Sequence, residues 1–392
     1  MNNTPQHLKE LSDRLCNSAR KGTLNQSVLF VGREGAGEFS LISDLAMTLL
    51  CENEMSACGK CAGCREVAKL YHPDFLLLFP FPNLKPESKK LTVFSFSDPV
   101  NSSARYSEET RDTVEDFKKG LLEDSFMLAD FEKKEIIPVE VVKDLIYALA
   151  KKPLKNGRRV VGVLNVDKMA FGAADLFLKT VEEPPHNTHI LLTTSRPDLL
   201  YPTLLSRTQR IKTPPVPEEE TQSILKNRLE LKPQEALFLA RISGGSPGMA
   251  VHFYDREIIS RRETMLGYFS KLLAKEKTGI LINEIQQVFG GFKYRFDDIR
   301  IDFDIIETII HDLYLVNQKR LDNHFINIDI KGKLEDLKAP EKEVLDIWNS
   351  CCARTRQAAT VNNVSADAAM MFFFISCAEA LEKLARPKYT LP

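Results

Sequence analysis

The sequence predicts a parallel α/β domain followed by helical domains. Short apolar runs alternate with helical stretches through about residue 213, an arrangement typical of a parallel sheet covered by helices. A proline cluster at 214–217 then ends the alternation, and nearly all of the later sequence has helical periodicity. We therefore expect the sheet in the first part of the chain and a linker at the prolines.

Each strand is predicted from a short apolar run that suits burial on both faces of a parallel sheet. The candidate strands are 27–31, 74–79, 160–164 and 189–194. The helices predicted between them are 40–50, 139–151 and 170–183. The stretch 85–135 interrupts this pattern, and its mixed charge favours a solvated insertion that is either partly disordered or has a surface helix near 108–119. We assign this insertion no function.

A glycine-rich turn follows the first predicted strand. Gly32 and Gly37 have the spacing of a phosphate-binding loop, G-x-x-x-x-G-K-[ST], in which the lysine contacts phosphate oxygens and the hydroxyl binds Mg²⁺. Here Glu38 replaces the lysine and Phe39 replaces the hydroxyl residue. A carboxylate in place of the ammonium would repel a triphosphate by several kcal/mol even at an effective dielectric constant of about 20. The sequence therefore predicts a nucleotide-binding scaffold that no longer uses ATP.

The predicted strand 160–164 ends without the acid that such a site needs. In P-loop ATPases an Asp near this point binds Mg²⁺, and a further polar residue orients the attacking water. This chain has Leu164 and Asn165 there. Asp167 is either a displaced metal ligand or an ordinary loop or cap aspartate, and its place beyond the strand end favours the second interpretation.

Four cysteines follow the phosphate loop with the spacing C-x6-C-x2-C-x2-C. They are Cys51, Cys58, Cys61 and Cys64. Four thiolates separated by tight turns predict a closed, structural Zn²⁺ site, in which no position is left for water or substrate. An iron–sulfur cluster would use the same ligands, and free reduced thiols or a disulfide are less favoured alternatives.

The composition argues against binding of nucleic acid by overall charge. The 392 residues include 53 basic and 54 acidic side chains, for a net charge of −1. Such a chain has no general basic field, so any DNA contact is local or shared with partners. The first residues, 1–6, lack a signal-peptide pattern, and no apolar stretch approaches the ~18 residues of a membrane span. We therefore expect a cytoplasmic protein without membrane contact.

Several motifs resemble those of the clamp-loader subunits of bacterial DNA polymerase III, a family within the AAA+ superfamily. The stretch 173–188 is similar to the family's helix and LLKTLEEPP turn. The stretch 204–208 is similar to its Ser-Arg-Cys motif, with Thr208 in place of the cysteine, and 242–250 is similar to its lid-domain turn. The cysteines match the zinc module of the γ/τ and δ′ subunits. Because the phosphate loop and the acidic strand end are altered, the chain looks like the δ′ type rather than its active sibling, γ/τ.

The resemblance implies an α/β P-loop AAA+ domain with a parallel sheet, a small helical lid domain and a helical C-terminal collar domain. In the family, the collar is the part through which the subunits oligomerise. The domains implied here are a degenerate AAA+ domain at 1–213 with a zinc module at 51–64 and the insertion at 85–135, a lid at 214–275 and a collar at 276–392.

The predicted collar contains the most apolar helix of the chain, at 366–384. Apolar residues at 370–375 surround most of its circumference, so we expect burial on nearly all sides. A core helix within one domain explains most of these residues equally well.

The resemblance also gives a role to Arg207. In the family, the arginine of this motif projects into the ATP site of a neighbouring subunit, where its guanidinium stabilises charge on the transferred γ-phosphoryl group. The alternative is that Arg207 forms an ion pair with a surface carboxylate of its own chain. Ser206 is expected to cap or position the turn, since no histidine base is identifiable beside it.

A further departure concerns the lid turn, where active members have an arginine that contacts phosphate and this chain has Pro247 and Gly248. The sequence thus predicts a non-hydrolysing clamp-loader subunit that binds structural zinc and no ATP, and that supplies an arginine in trans. Expected partners are the γ/τ and δ subunits and, through the complex, the sliding clamp and primed DNA. The alternatives are an active AAA+ ATPase with a remodelled site, or a zinc-dependent nucleic-acid-binding module using Lys60, Arg65 and Lys69.

Overall fold

The computed structural model describes residues 4–53, 56–82, 108–128, 135–155, 157–290, 298–319, 324–361 and 364–385. The chain divides into two compact units. The first comprises Met1–Pro217 and Gly245–Met249, and the second comprises Glu218–Gly244 and Ala250–Pro392. The first boundary between the two units, after Pro217, directly follows the proline cluster. The division of the second unit into lid and collar stays a prediction.

The first unit contains a parallel sheet. Its strands are β1 (Ser27–Val31), β2 (Phe75–Leu78), β3 (Phe81–Pro82), β4 (Glu135–Ile136), β5 (Arg159–Val163), β6 (Thr188–Thr194) and β7 (Gln209–Lys212). Five of them form the sheet in the order β2-β5-β6-β1-β7, with every neighbouring pair parallel. β3 and β4 form a separate antiparallel pair. The prediction of a parallel sheet is confirmed, and the four predicted strands match β1, β2, β5 and β6 to within one residue at each end.

The sequence analysis missed the fifth strand of the sheet, β7. This strand lies at the sheet edge beside β1, and Gln209, Arg210 and Lys212 are exposed. An edge strand faces solvent along one side and needs no continuous apolar run, so it lacks the signal by which buried parallel strands are found.

Helices cover both faces of the sheet. They are α1 (Gln6–Arg20), α2 (Glu38–Leu50), α3 (Ala62–Val67), α4 (Glu108–Glu123), α5 (Val139–Leu149), α6 (Ala173–Glu182) and α7 (Pro202–Arg207). Because side chains alternate along a strand, Val28 and Phe30 of β1 pack in one core with α1 and α2, while Leu29 packs in another with α5 and α6. Helix α1 was not predicted; it buries Leu8 and Leu15 in the first core.

The described part of the insertion contains the predicted surface helix, as α4, with exposed residues at 112, 116, 119, 122 and 123. One side of this helix is buried, since Phe117 and Leu121 are each only 4% exposed. The ring centroid of Phe117 lies 4.6 Å from that of Phe79. Residues one helical turn apart therefore anchor this helix in the core. The parts of the insertion outside the described residues are 83–107 and 129–134.

The second unit is helical within the described residues. Its helices are α8 (Glu218–Leu229), α9 (Pro233–Ile242), the part of α10 (Pro247–Asp255) from residue 250 onward, α11 (Ile258–Leu273), α12 (Thr278–Phe289), α13 (Asp298–Asn317), α14 (Lys331–Asp336), α15 (Lys342–Val361) and α16 (Ala366–Ala385). In α16, Phe373 and Phe374 pack against Phe269, but Phe372 is 59% exposed, so burial on nearly all sides is wrong for this helix. No helix among the described residues is long and apolar enough to cross a membrane.

Candidate functional sites

The phosphate loop retains its backbone shape. It lies between β1 and α2, at the carboxyl edge of the sheet where β5 and β6 also end. Gly37 has φ 98° and forms the left-handed N-cap of α2, a conformation that glycine adopts without the steric cost of a side chain. In a working site, the free amides of this helix end would surround a phosphate. The scaffold is therefore present, and its function depends on the side chains around it.

Glu38 and Phe39 begin α2, and each is only 8% exposed. Burial raises the pKa of Glu38 to about 8, so its carboxyl group is mostly protonated at pH 7. Burial thus weakens the charge repulsion expected from Glu38 at neutral pH, while the loss of the lysine ammonium at this position remains. Phe39 packs in the core with α1. These residues fail to supply the lysine and the hydroxyl, and they also fill space.

A second glutamate, Glu34, connects the loop to the strand end. Its Oε1 accepts hydrogen bonds from Asn165 Nδ2 at 2.6 Å and from Lys168 Nζ at 3.0 Å. Lys168 Nζ also donates to Glu135 Oε2 at 2.9 Å. Burial lowers the pKa of Lys168, but the two neighbouring carboxylates outweigh it and raise the pKa above its usual value. Asn165, just beyond the end of β5, thus contacts the loop through a neutral amide and offers no carboxylate to a metal ion.

Asp167 does not line the cavity beside the loop. Its Oδ1 accepts a hydrogen bond of 2.6 Å from Thr194 Oγ1, at the end of β6. Burial raises the pKa of Asp167 above its ordinary value. The structure therefore favours the ordinary loop aspartate over the displaced metal ligand.

The turn at 245–249 packs directly on the phosphate loop. Ser246 Oγ donates to the Glu34 carbonyl oxygen at 2.6 Å, and the Gly248 amide donates to the Gly35 carbonyl oxygen at 3.1 Å. A Cβ atom at Gly248 would lie 3.0 Å from the Gly35 Cα atom and 2.0 Å from the Phe126 carbonyl oxygen. Only a glycine permits this approach, so the turn brings backbone directly onto the loop.

The end of the insertion occupies the rest of the site. After α4, the Phe126 amide donates to Asp124 Oδ1 at 2.9 Å, which turns the chain back toward the loop. A Cβ atom at Gly35 would lie 2.8 Å from Leu128 Cδ2. The packing of this segment on the loop was not predicted from the sequence. The three consecutive apolar residues at 126–128 were a signal that the segment is not solvated.

The space left between these groups is a cavity of about 40 Å³. Pockets that bind small molecules and cofactors have volumes of about 300–1,000 Å³. The cavity is therefore too small for a nucleoside triphosphate unless residues 124–128 move away. Residues that reduce it include Glu34, Glu38, Phe39, Met127, Leu128 and Asn165.

The four predicted metal ligands come together. One Sγ atom from each of Cys51, Cys58, Cys61 and Cys64 lies within 4.8 Å of the others, so the group could hold a metal ion. The Sγ atoms of Cys51 and Cys61 are 3.9 Å apart, close to the ~3.8 Å expected between two ligands of a tetrahedral site with Zn–S bonds of ~2.3 Å. The residues therefore fit a tetrahedral four-thiolate site.

Backbone amides support this cluster. The Cys61 amide donates to Cys58 Sγ at 3.4 Å, and the Cys64 amide donates to Cys61 Sγ at 3.3 Å. Hydrogen bonds from the Lys60 and Cys61 backbone lower the pKa of the Cys58 thiol to about 6. A thiolate is the form that binds a metal, so these turns prepare a ligand. Burial, in contrast, raises the pKa of Cys64 and so disfavours its thiolate form. A bound cation would offset this cost of ionising the buried thiol.

The basic residues proposed as phosphate contacts in the alternative interpretation, Lys60, Arg65 and Lys69, are all exposed. Glu66 lies among them in the sequence and forms a 2.6 Å ion pair with Lys155. The structure thus leaves the three side chains accessible to solvent.

Arg207 is the last residue of α7, and its guanidinium contacts its own chain. Arg207 Nε lies 2.6 Å from Oε1 of Glu182, the last residue of α6, and Nη1 donates to the Thr203 carbonyl oxygen at 3.1 Å. The side chains of Arg207 and Glu182 are 39% and 37% exposed. The intrachain ion pair considered as an alternative therefore exists, but it is accessible to solvent. Ser206 Oγ donates to the Thr203 carbonyl oxygen, which fits the predicted positioning of the turn.

The order of the parallel strands and the glycine-rich loop between β1 and α2 define an α/β protein of the P-loop AAA+ class. The family model described as "DNA polymerase III, delta subunit" matches residues 7–217, more than half of the 392 residues. The chain belongs to this family. The resemblance seen in the sequence motifs is thereby confirmed.

Curated relatives agree with this assignment. DNA polymerase III subunit delta' of Escherichia coli is 26% identical over 255 residues, 64% of this chain and 61% of the relative. The match thus spans about three fifths of that relative's length. DNA polymerase III subunit tau of Escherichia coli is 24% identical over 63% of this chain and 31% of its own length.

Among solved structures, a DNA polymerase III gamma subunit-related protein from Thermotoga maritima is similar to this chain at 17% identity with a TM-score of 0.36. That comparison covers 96% of this chain and 99% of the Thermotoga chain. At this score the likeness carries no further argument, and the description of the fold rests on the strands and helices of the chain itself.

Proposed function

We propose that this protein is a δ′-type subunit of a bacterial replicative clamp loader, which neither binds nor hydrolyses ATP and which supplies Arg207 to the ATP site of a neighbouring subunit. The observation that carries the proposal is the contrast between a filled phosphate site and a half-exposed arginine in the same unit. Its partners would be the γ/τ and δ subunits and, through the complex, the sliding clamp and primed DNA.

Loss of ATP binding is supported by independent features of the site. Glu38 and Phe39 replace the two side chains that a triphosphate and its Mg²⁺ require. Asn165, two residues after β5, takes the place of an acid, and Pro247 and Gly248 lie where active members have an arginine. The remaining cavity of about 40 Å³ has no room for the nucleotide. A single replacement can be compensated locally, but all of these replacements act against nucleotide binding.

The trans role is supported by the type and position of Arg207. Its guanidinium stays charged at any physiological pH and offers a planar set of donors that matches phosphate oxygens. The residue ends a short helix and is 39% exposed, so a neighbouring subunit can reach it. Placed beside a γ-phosphate, such a group stabilises the charge that develops during phosphoryl transfer.

The test is the ATPase activity of the reconstituted complex with Arg207→Ala. Arginine fingers contribute about 10³–10⁵ to kcat in GTPases, so we expect turnover at the site next to this subunit to fall by about 10³-fold. Arg210→Ala, an exposed arginine three positions away on β7, is the matched control and should leave turnover unchanged. Unchanged turnover with Arg207→Ala, in a complex that still assembles, would refute the trans role.

We further propose that the four cysteines hold Zn²⁺ with a structural role. The S₄ geometry leaves no open position for substrate, and the ion would serve to join α3 to the end of α2. Metal analysis of the purified protein should give one zinc per chain and no iron. Cys58→Ser should release the metal and lower the unfolding temperature, whereas Cys16→Ser, a cysteine outside the cluster, should retain it.

A further inference from the structure

We infer that Glu182 is a positioning residue for Arg207: it holds the guanidinium while the subunit is free and is exchanged for the neighbour's γ-phosphate on engagement. This inference rests on the proposed trans role of Arg207. Glu182 lies 25 positions before Arg207, so only tertiary packing brings the two side chains together.

The geometry of the pair carries the inference. Glu182 and Arg207 end two different helices, α6 and α7, and their side chains meet with Nε and Oε1 2.6 Å apart. The Thr203 carbonyl oxygen accepts from Nη1 at 3.1 Å, so the guanidinium is fixed at two of its nitrogens. A long, flexible side chain that must enter another subunit's site is thus kept in one place and orientation before it engages.

The exposure of the pair makes it reversible. Both side chains are more than one third exposed, and water screens ion pairs of this kind. Removing the carboxylate from such a pair typically changes an equilibrium by no more than about fivefold. A buried pair such as Arg159 and Asp74, with side chains 5% and 0% exposed, would not open as readily.

Charge explains why the contact must be exchanged rather than kept. The carboxylate cancels the charge of the guanidinium, so the pair as a whole does not attract an anionic phosphate. A carboxylate left beside the γ-phosphate would also repel it. The guanidinium therefore gains its full effect on phosphate only when Glu182 releases it.

The test uses Glu182→Gln, which removes the charge and keeps the shape, in the complex reconstituted with ATP-hydrolysing subunits of the γ/τ type. The readout is the concentration of this chain that gives half-maximal stimulation of ATPase activity. We expect that concentration to fall by about two- to fivefold, because the free guanidinium no longer has a competing partner. The matched control is Glu183→Gln, an exposed glutamate at the next position, which should match the wild type.

Ionic strength adds a readout that a purely structural role would not change. Added salt weakens the exposed ion pair in the wild type. The ratio of the half-maximal concentrations of wild type and Glu182→Gln should therefore approach one as the salt concentration rises. Half-maximal stimulation by Glu182→Gln at the wild-type concentration or above it would overturn the inference, as would a ratio that does not depend on salt.

The Arg207→Ala variant separates this inference from the function on which it rests. Loss of stimulation with Arg207→Ala, together with no gain from Glu182→Gln, would refute only the exchange. Full stimulation with Arg207→Ala would refute the proposed function itself, and the exchange with it.

Discussion

The phosphate-loop site and the Arg207 site lie in the same unit and differ in almost every physical respect. The loop is covered by the turn at 245–249 and by residues 124–128, and its glutamate at position 38 is buried. Arg207 and its partner are more than one third exposed, and an ion pair that water screens connects them. The closed site can hold little more than its own side chains, whereas the open one can change partners.

Under the proposed function, this difference would allow an ATPase scaffold to lose its own reaction while it contributes to another subunit's reaction. Nucleotide binding needs several groups to converge on one cavity, and here side chains and backbone occupy much of that space. An arginine supplied in trans needs only a stable charge on an accessible surface, and Arg207 ends a short helix with its side chain 39% exposed.

The largest effect is expected from the buried acid of the closed site. The pKa of Glu38 is raised from 4.5 to about 8, so in the unfolded chain this group ionises at a lower pH than in the folded protein. Its contribution to stability therefore falls as pH rises from about 4.5 to about 8, and the cost at pH 8 is up to about 4 kcal/mol. Glu38→Gln does not ionise and escapes this cost.

Chemical denaturation of both proteins at pH 5 and pH 8 measures this effect. The stability advantage of Glu38→Gln over the wild type should widen by about 3 kcal/mol between those pH values. Groups common to both proteins cancel in the difference. An advantage that is the same at both pH values would show that Glu38 is ionised in the folded state and that the site is open to water.

A smaller effect is expected from the backbone contact that covers the loop. Gly248→Ala would place a Cβ atom 2.0 Å from the Phe126 carbonyl oxygen, so one of the two backbones must move. We expect a loss of about 1–3 kcal/mol in the free energy of unfolding, the usual cost of overpacking. Gly267→Ala is the control, since nothing lies within 4 Å of its Cβ position and α11 should gain slightly in stability. Equal effects of both variants would indicate that the covering turn does not pack on the loop as described.

The smallest of these effects concerns the open site. Arg207→Lys keeps the positive charge and loses the planar fork of donors, so the neighbour's site keeps part of its stabilisation. We expect turnover about tenfold below the wild type, equal to ~1.4 kcal/mol of transition-state free energy, and well above that of Arg207→Ala. Steady-state ATPase rates of the reconstituted complex measure it. Equal rates for the lysine and alanine variants would mean that charge alone contributes nothing there.

The sequence predicted the buried parts of the first unit well, since strands buried on both faces are continuous apolar runs. Edge strand β7 was missed because its exposed side chains have no such pattern. The buried side of the insertion was not predicted for a related reason: the many charges of α4 hide the side that carries Phe117 and Leu121. Mixed charge along a segment therefore does not exclude a role in filling a site.

The protonation state and the ion-pair partner of individual residues were harder to predict than the absence of the lysine and the acid. The loss of the lysine and of the acid could be seen directly at Glu38 and Asn165, but the protonation of Glu38 depends on burial, which the sequence does not show. The partner of Arg207 is also set by tertiary packing. Glu182 lies 25 positions earlier in the chain, and only the meeting of the ends of α6 and α7 brings it within 2.6 Å.

The most direct test of the central claim is calorimetric titration of the isolated, zinc-loaded chain with Mg·ATP. We expect no saturable binding up to millimolar nucleotide, both for the wild type and for the double variant Glu38→Lys with Phe39→Thr, because residues 124–128 still fill the cavity. Micromolar affinity of the wild-type chain for Mg·ATP would contradict the proposal that its site is closed and that it serves only the ATP site of its neighbour.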